Sequence, residues 1–385
     1  MSLAAAITDL TDELVELRRD IHAHPELSWQ EERTTALVAD RLAMAGVPVR
    51  LLPKGGLLAD VGTTGPVIAL RADLDALPVE DRTPDPWASK VDGVAHACGH
   101  DVHSVALLGA GLALAAQDLP CRVRLLFQPA EEVMPGGALS MIAEGALEGV
   151  THVFGLHCDP SLDVGYVGLR EGPLTGASDS LTIRLSGKGG HTSRPHLTQD
   201  LTFALGSLVT QLPAALSRRL DPRAGASVVW GMVRSGSATN VIPSSGELAG
   251  TVRMLDSVAW ADAEGLIREL IELLVAPYGV VADVIYLRGV PPVVNEPAAT
   301  RLLAAAALTV VGETHVVPTA QSLGGEDFAW YLDTVPGAMA RLGTRTPGGP
   351  TYDLHQGDLR VDERSVALGA RLLAEAALLA GSVNP

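Results

Sequence analysis

Leu10, Leu14, Leu17 and Ile21 recur at helical spacing near the start of the chain, which predicts an amphipathic helix that stops before Pro25. Ser28-Trp29-Gln30-Glu31 has the form of a capping box, with Ser28 and Glu31 each able to satisfy the other's amide, and Gly46 closes the helix that follows. Val67 to Leu70 reads as a buried strand that finishes at Arg71-Ala72-Asp73-Leu74-Asp75, and Val105 to Ala116 as a buried helix. Strands at Val123 to Phe127 and Val153 to Leu156 flank a helical Ala138 to Ala146, so the first part alternates as an α/β sheet does. Asp73, Asp75, Glu131, Glu132 and His157 then fall just past the carboxyl ends of predicted strands, where open α/β sheets bind ligands.

The middle of the chain changes rhythm. Leu181 to Leu185, Leu201 to Leu216, Ala226 to Val233, Gly246 to Met254, Val258 to Leu274 and Val280 to Tyr286 spell βαββαβ, the order of a ferredoxin-like α+β sandwich. Beyond Pro291-Pro292 the α/β pattern returns, with helices at Ala298 to Val311 and Arg364 to Leu379 and a strand at Ala338 to Leu342. The expected organisation is therefore an α/β domain with a mixed sheet, discontinuous over residues 1–178 and 290–385, and an inserted domain over residues 179–289.

A chain of 385 residues is long for a single core, which agrees with two domains. The net charge of −17 argues against a nucleic acid or an anionic membrane as partner, since both demand a basic face. Three cysteines, Cys98, Cys121 and Cys158, make no paired disulfide framework, and the first residues lack the basic head and apolar run of a secretory signal. The expectation is a soluble cytoplasmic protein.

The run His96-Ala97-Cys98-Gly99-His100-Asp101-Val102-His103 changes the picture most. Imidazole and thiolate are the preferred ligands of zinc, and cobalt, nickel and manganese accept the same set. With Glu131-Glu132, His157 and His355, the chain could furnish ligands for two divalent ions and one further base. Adjacent glutamates send their side chains in different directions, so one can bind metal while the other accepts a proton from water. Asp101 and His103 read as residues that orient ligands rather than as ligands, and His22 and His24 as structural. Gly187 to His196 is a glycine-rich turn with two histidines; it lacks the residues of a phosphate or dinucleotide motif, which leaves a functional histidine or an ordinary hairpin.

Several stretches in order resemble the M20 peptidase family, in its branch of hippurate hydrolases, aminoacylase-like enzymes and auxin-conjugate hydrolases. They are Arg18 to Leu27, Arg71 to Pro78, His96 to His103, Gln128 to Glu132, Gly155-Leu156-His157, Gly189-Gly190-His191, Asn240 to Pro243, Gly325 to Phe328 and Leu354-His355. The resemblance implies a phosphorylase/hydrolase-like catalytic domain with two divalent metal ions held by Cys98, His100, Glu132, His157 and His355. It makes Glu131 the general base and Asp75 a supporting acid. The inserted domain becomes a dimerisation or lid domain, with His191 polarising the scissile carbonyl and Asn240 and Arg253 holding a substrate carboxylate. Other branches carry a histidine-x-aspartate motif where this chain has Asp73-Leu74-Asp75, and Cys98 supplies what that histidine would. The implied activity is hydrolysis of N-acyl amino acids by a homodimer. A dipeptidase or carboxypeptidase on the same scaffold is the alternative, and a non-catalytic metal-binding protein is the reading from another class.

Overall fold

The computed structural model describes residues 2–383, which form two compact units. The first comprises residues 2–174, 294–320 and 327–383, and the second Thr175–Val293 with Gln321–Glu326. The six residues 321–326 therefore return to the second unit, a crossing that the helix and strand pattern does not signal.

An eight-stranded mixed sheet organises the first unit, in the order Val49–Leu51, Leu57–Val61, Arg122–Gln128, Val67–Asp73, Val150–Asp163, Gly337–Arg345, Val167–Leu169 and Val316–Pro318. Its centre is parallel: Val67–Asp73 pairs in parallel with both Arg122–Gln128 and Val150–Asp163, and Gly337–Arg345 continues beside the latter. Strands buried on both faces read as unbroken apolar runs, and Val67–Asp73 is buried at every residue. Helices Leu3–Ala23, His100–Ala115, Pro297–Val311 and Arg364–Ser382 close the core, where Leu14, Leu107, Leu303 and Ala377 meet Ile68, Phe127, Phe154 and Ala338. Arg364–Ser382 is long and apolar enough to cross a membrane by length and composition, but the burial of Val366, Ala370, Leu373 and Ala377 explains that composition as a core helix.

Two local expectations fail. The capping box does not form. The Glu26 carboxylate instead caps the helix Glu32–Met44 by accepting from the Arg33 and Thr34 amides at 2.8 Å each, while Ser28 Oγ donates to Asp75 at 2.7 Å. Carboxylate acceptors outcompete the reciprocal Ser–Glu arrangement because charge-assisted bonds are the stronger ones. His157 lies inside a strand, not beyond one, because Val150–Asp163 runs far past its predicted end. The register pairs Arg71 with Gly155, so His157 still stands level with Asp73, the last residue of its neighbour.

The second unit is a four-stranded antiparallel sheet in the order Ser227–Ser235, Ser245–Met254, Ala177–Ser186 and Val281–Val290, with helices Leu201–Arg219 and Ser257–Val275 packed on it. Leu181, Ile183 and Leu185 are buried while the residues between them are more open, the period-two pattern of a sheet covered on one face. This is the ferredoxin-like order read from the pattern.

Candidate metal centre

The helix His100–Ala115 begins at Gly99, whose φ of +85° lies in the left-handed region. A Cβ built there would stand 2.8 Å from Cys158 Sγ and 3.0 Å from its Cβ, so only glycine fits both the turn and the space. That turn sets Cys98 and His100 on either side of one sharp bend. Among the described residues three non-glycine residues have positive φ: Trp29, Ala130 and His355. Ala130 directly precedes Glu131-Glu132, and the amide of His355 donates to Ala97 O at 2.7 Å, which pins the loop beside Cys98. Such sparsely populated conformations persist only where surrounding contacts dictate them, and they gather at functional sites.

These constraints bring all five predicted ligands into overlapping groups. The donor atoms of Cys98, His100 and His157 lie within 4.8 Å of one another, as do those of Cys98, Glu132 and His355, and those of His100, Glu131 and Glu132. Cys98 belongs to two of the donor groups and His100 to three, the third with Asp73 and His103, an arrangement that suits a pair of ions sharing donors. The tautomers fit as well. His100 Nδ1 donates to the Asp75 carbonyl at 2.9 Å and His157 Nδ1 to the Cys158 carbonyl at 2.8 Å, which leaves each Nε2 for the cluster. His157 Nε2 is 3.6 Å from Cys98 Sγ. His100 Nε2 stands 3.8 Å from Asp73, 3.9 Å from Glu131 and 3.8 Å from Glu132, yet it is buried without a hydrogen bond, and Glu132 Oε1 has His355 Nε2 at 3.4 Å. A buried polar atom left unpaired among so many donors is what a cation would satisfy.

His103 stands in this neighbourhood with both nitrogens engaged. Nδ1 donates to Asp73 at 2.7 Å and Nε2 accepts from the Cys158 amide at 2.8 Å, so it orients its neighbours and has no lone pair to offer. Asp101 faces away from the cluster, gripped by Arg18 at 2.7 Å and His22 at 2.8 Å. His96, the first imidazole of the run, is in none of the donor groups; both its ring nitrogens are buried without a hydrogen bond, and burial lowers its pKa to about 3.

The electrostatics follow from burial in a nest of carboxylates. Burial holds His157 well below the usual imidazole range, with Arg341 and His103 adding to the effect. Burial opposes charge on His100 too, but the Asp73 carboxylate and Cys98 outweigh it and carry His100 well above that range. Bonds to Cys98 and Glu132 raise His355 to about 10, and burial pushes the Cys98 thiol up. Protons concentrate where several acceptors converge, and a divalent cation displaces protons from such a place.

Asp75 is buried and accepts from Ser28 Oγ and from the amides of Glu131 at 3.0 Å and Glu132 at 2.9 Å. It fixes the backbone of the two glutamates, and its carboxylate is held low by bonds that overcome burial. Sequence reading missed the network beneath. Arg71 is 1% exposed and donates to Gln128 at 2.9 Å and to Asp73 and Asp327 at 2.7 Å each; Gln128 also bonds Asp327 and Tyr331. The available signal was an arginine and an aspartate two residues apart at the end of a strand that is otherwise apolar.

The other predicted residues belong to the second unit. His191 and Asn240 come together on a two-stranded ribbon, where His191 pairs with Val241, Thr192 N donates to Asn240 O at 3.2 Å, and Ser193 bonds His191 Nδ1. Arg253 is on the strand Ser245–Met254, where its guanidinium donates to Leu323 O.

Thiol, imidazole and carboxylate donors gathered at the carboxyl ends of parallel strands, with two adjacent glutamates among them, define a metal-dependent hydrolase of the α/β class. The chain belongs to peptidase family M20/M25/M40, whose model matches residues 69–379, and it is a hydrolase acting on amide bonds. A Rhodococcus jostii protein that carries the name of a glutamate–cysteine ligase is 53% identical over 94% of this chain, but the chain spans only 46% of that protein. A Bacillus subtilis N-acetyl-L-cysteine deacetylase is 39% identical over 96% of this chain and 89% of its own length. Among solved structures, a Bacillus subtilis protein described as a dinuclear metal binding peptidase of the M20 family superposes with a TM-score of 0.85 at 34% identity, covering 98% of this chain and 99% of that one.

Proposed function

We propose that the protein cleaves the amide bond of N-acyl amino acids, such as hippurate or N-acetyl amino acids, releasing a carboxylic acid and a free amino acid. The observation that carries the reading is the convergence of Cys98, His100, His157, His355 and Glu132 with Glu131 beside them. The Bacillus subtilis deacetylase named above supports the choice of an N-acyl amino acid over a dipeptide.

Cys98, His100, His157, His355 and Glu132 would hold two divalent ions, zinc by donor type, with manganese, cobalt or nickel as substitutes. Bound there, the ions supply Lewis acidity to the scissile carbonyl and lower the pKa of water. Glu131 takes the proton of the attacking water and returns it to the leaving nitrogen as the carbon–nitrogen bond breaks, so protons balance within one turnover. Asp75 keeps both glutamates in place through their amides, and the Nδ1 bonds of His100 and His157 hold the imidazoles in register. On the family resemblance His191 is assigned to polarising the carbonyl, across a homodimer, and Asn240 and Arg253 to the substrate carboxylate.

The test is Glu131→Gln, assayed on a panel of N-acyl amino acids and dipeptides after loading with zinc, manganese, cobalt or nickel. Metal content should stay near that of the native protein while kcat falls by about 10²–10⁴. Unchanged turnover would remove Glu131 from the role of base, and faster cleavage of dipeptides would favour a peptidase.

A further inference from the structure

The segment that carries Glu131 and Glu132 is held at three successive amides. Asp75 takes those of Glu131 and Glu132, and the amide of Ala130 donates to Glu31 Oε1 at 2.7 Å. The same Glu31 oxygen accepts the Trp29 amide at 3.0 Å. Trp29 and Ala130 have φ of +67° and +54°, so one carboxyl oxygen binds the amides of two of the three non-glycine residues with left-handed backbone among those described. Without a nearby acceptor, nothing favours such a φ for alanine or tryptophan over ordinary turns. Glu31 is 2% exposed, and its second oxygen is buried without a hydrogen bond, so the group is committed to this place at the expense of solvation. Ser28, three residues before it, bonds Asp75 and links both clamps to one stretch of chain.

We infer that Glu31 is a positioning residue: its carboxyl sets the backbone of Ala130 and thereby aims Glu131 and Glu132. It is in none of the donor groups and acts only through the turn. The inference rests on the proposed roles of Glu131 and Glu132, but the amide of Ala130 reports on it independently.

The experiment compares Glu31→Ala and Glu31→Gln with the native protein in the full chain, by hydrogen exchange, cobalt(II) titration and kinetics on N-acyl amino acids. In Glu31→Ala the Ala130 amide should exchange about tenfold faster or more, while amides of Val123 to Phe127 keep their protection. Cobalt affinity should fall about 10–100-fold, and kcat by about 10²-fold with KM little changed, because a loosened turn misplaces the glutamates. Glu31→Gln keeps an oxygen acceptor for both amides and should recover all three readings to within about threefold. Native exchange and metal affinity in Glu31→Ala would overturn the inference, and so would a Gln variant as damaged as Ala, since charge and not acceptor geometry would then be the contribution. If Glu31→Ala does not fold, Glu31→Met keeps the bulk without the acceptor and takes the same readings; failure of both to fold would make Glu31 a folding residue and overturn its role in aiming. A native protein inactive on every N-acyl amino acid would refute the substrate reading alone, leaving exchange and cobalt binding to decide on Glu31.

Discussion

Gly99→Ala places two separate costs on one Cα between Cys98 and His100. The first is conformational: a φ of +85° costs an L-residue roughly 1–2 kcal/mol. The second is steric, because the new methyl would meet Cys158 Sγ at 2.8 Å and Cβ at 3.0 Å in a buried site, and relieving such overpacking costs about 1–3 kcal/mol. Together they predict a loss of about 2–5 kcal/mol, which at roughly 2–4 °C per kcal/mol lowers the melting temperature by roughly 4–20 °C. The two costs can be told apart with Cys158→Ala. That change removes the sulfur while leaving the Cys158 amide and carbonyl, which hold His103 and His157, in place. The double variant should regain the share of the steric cost that the sulfur imposes, a coupling of up to about 1–3 kcal/mol in a double-mutant cycle read by thermal melts, and should keep the conformational part and the contact with Cβ. Cobalt titration should show weaker binding in Gly99→Ala and partial recovery in the double variant. A Gly99→Ala protein that melts and binds cobalt as the native one does would refute the argument, and a double variant no better than the single one would refute its steric half.

Other outcomes follow from the same geometry. Arg71→Met removes a buried counter-charge shared by Asp73 and Asp327 and should destabilise the protein by about 3–5 kcal/mol, checked by denaturant melts; a loss under about 1 kcal/mol would mean that the network relaxes around the missing charge. His103→Gln should retain two metals per chain by elemental analysis with affinity reduced about 10–100-fold, whereas His100→Ala should lose metal outright; equal losses would make His103 a ligand. In the metal-free protein Asp73, Asp75 and Asp101 have folded pKa values below their ordinary ones. Their stabilisation is therefore full above the unfolded pKa of about 4 and lost as pH falls below it, which acid titration of the melting temperature should show. Glu31 has the opposite sign: burial raises it to about 7, so it disfavours folding progressively from about pH 4.5 to 7, and Glu31→Gln should flatten stability across that window. A Glu31→Gln curve parallel to the native one would refute the shift.

The apolar pattern alone determined the central strands and the long helices, because sheet and helix periodicities are local properties; the short strands Val49–Leu51, Leu57–Val61, Val167–Leu169 and Val316–Pro318 carry too few residues to show a period. The sequence also determined the chemistry on offer, since thiol, imidazole and carboxylate types are written in the chain, and Cys98, His100, Glu131, Glu132, His157 and His355 are among the residues whose donor atoms the fold gathers, with Asp73 added by strand register. Only the tertiary structure decided how each was used. His103 and His100 are three residues apart on one helix, yet register and packing give one an Asp73 carboxylate and a Cys158 amide and leave the other's Nε2 facing the donors. Glu31 looked like half of a local cap, and folding gave it an amide 99 residues away because a buried carboxyl binds where it is most needed. Arg71, Gln128 and Asp327 showed no spacing that could link them; parallel strand pairing and a distant loop bring them together, and such long-range contacts leave no period in a sequence.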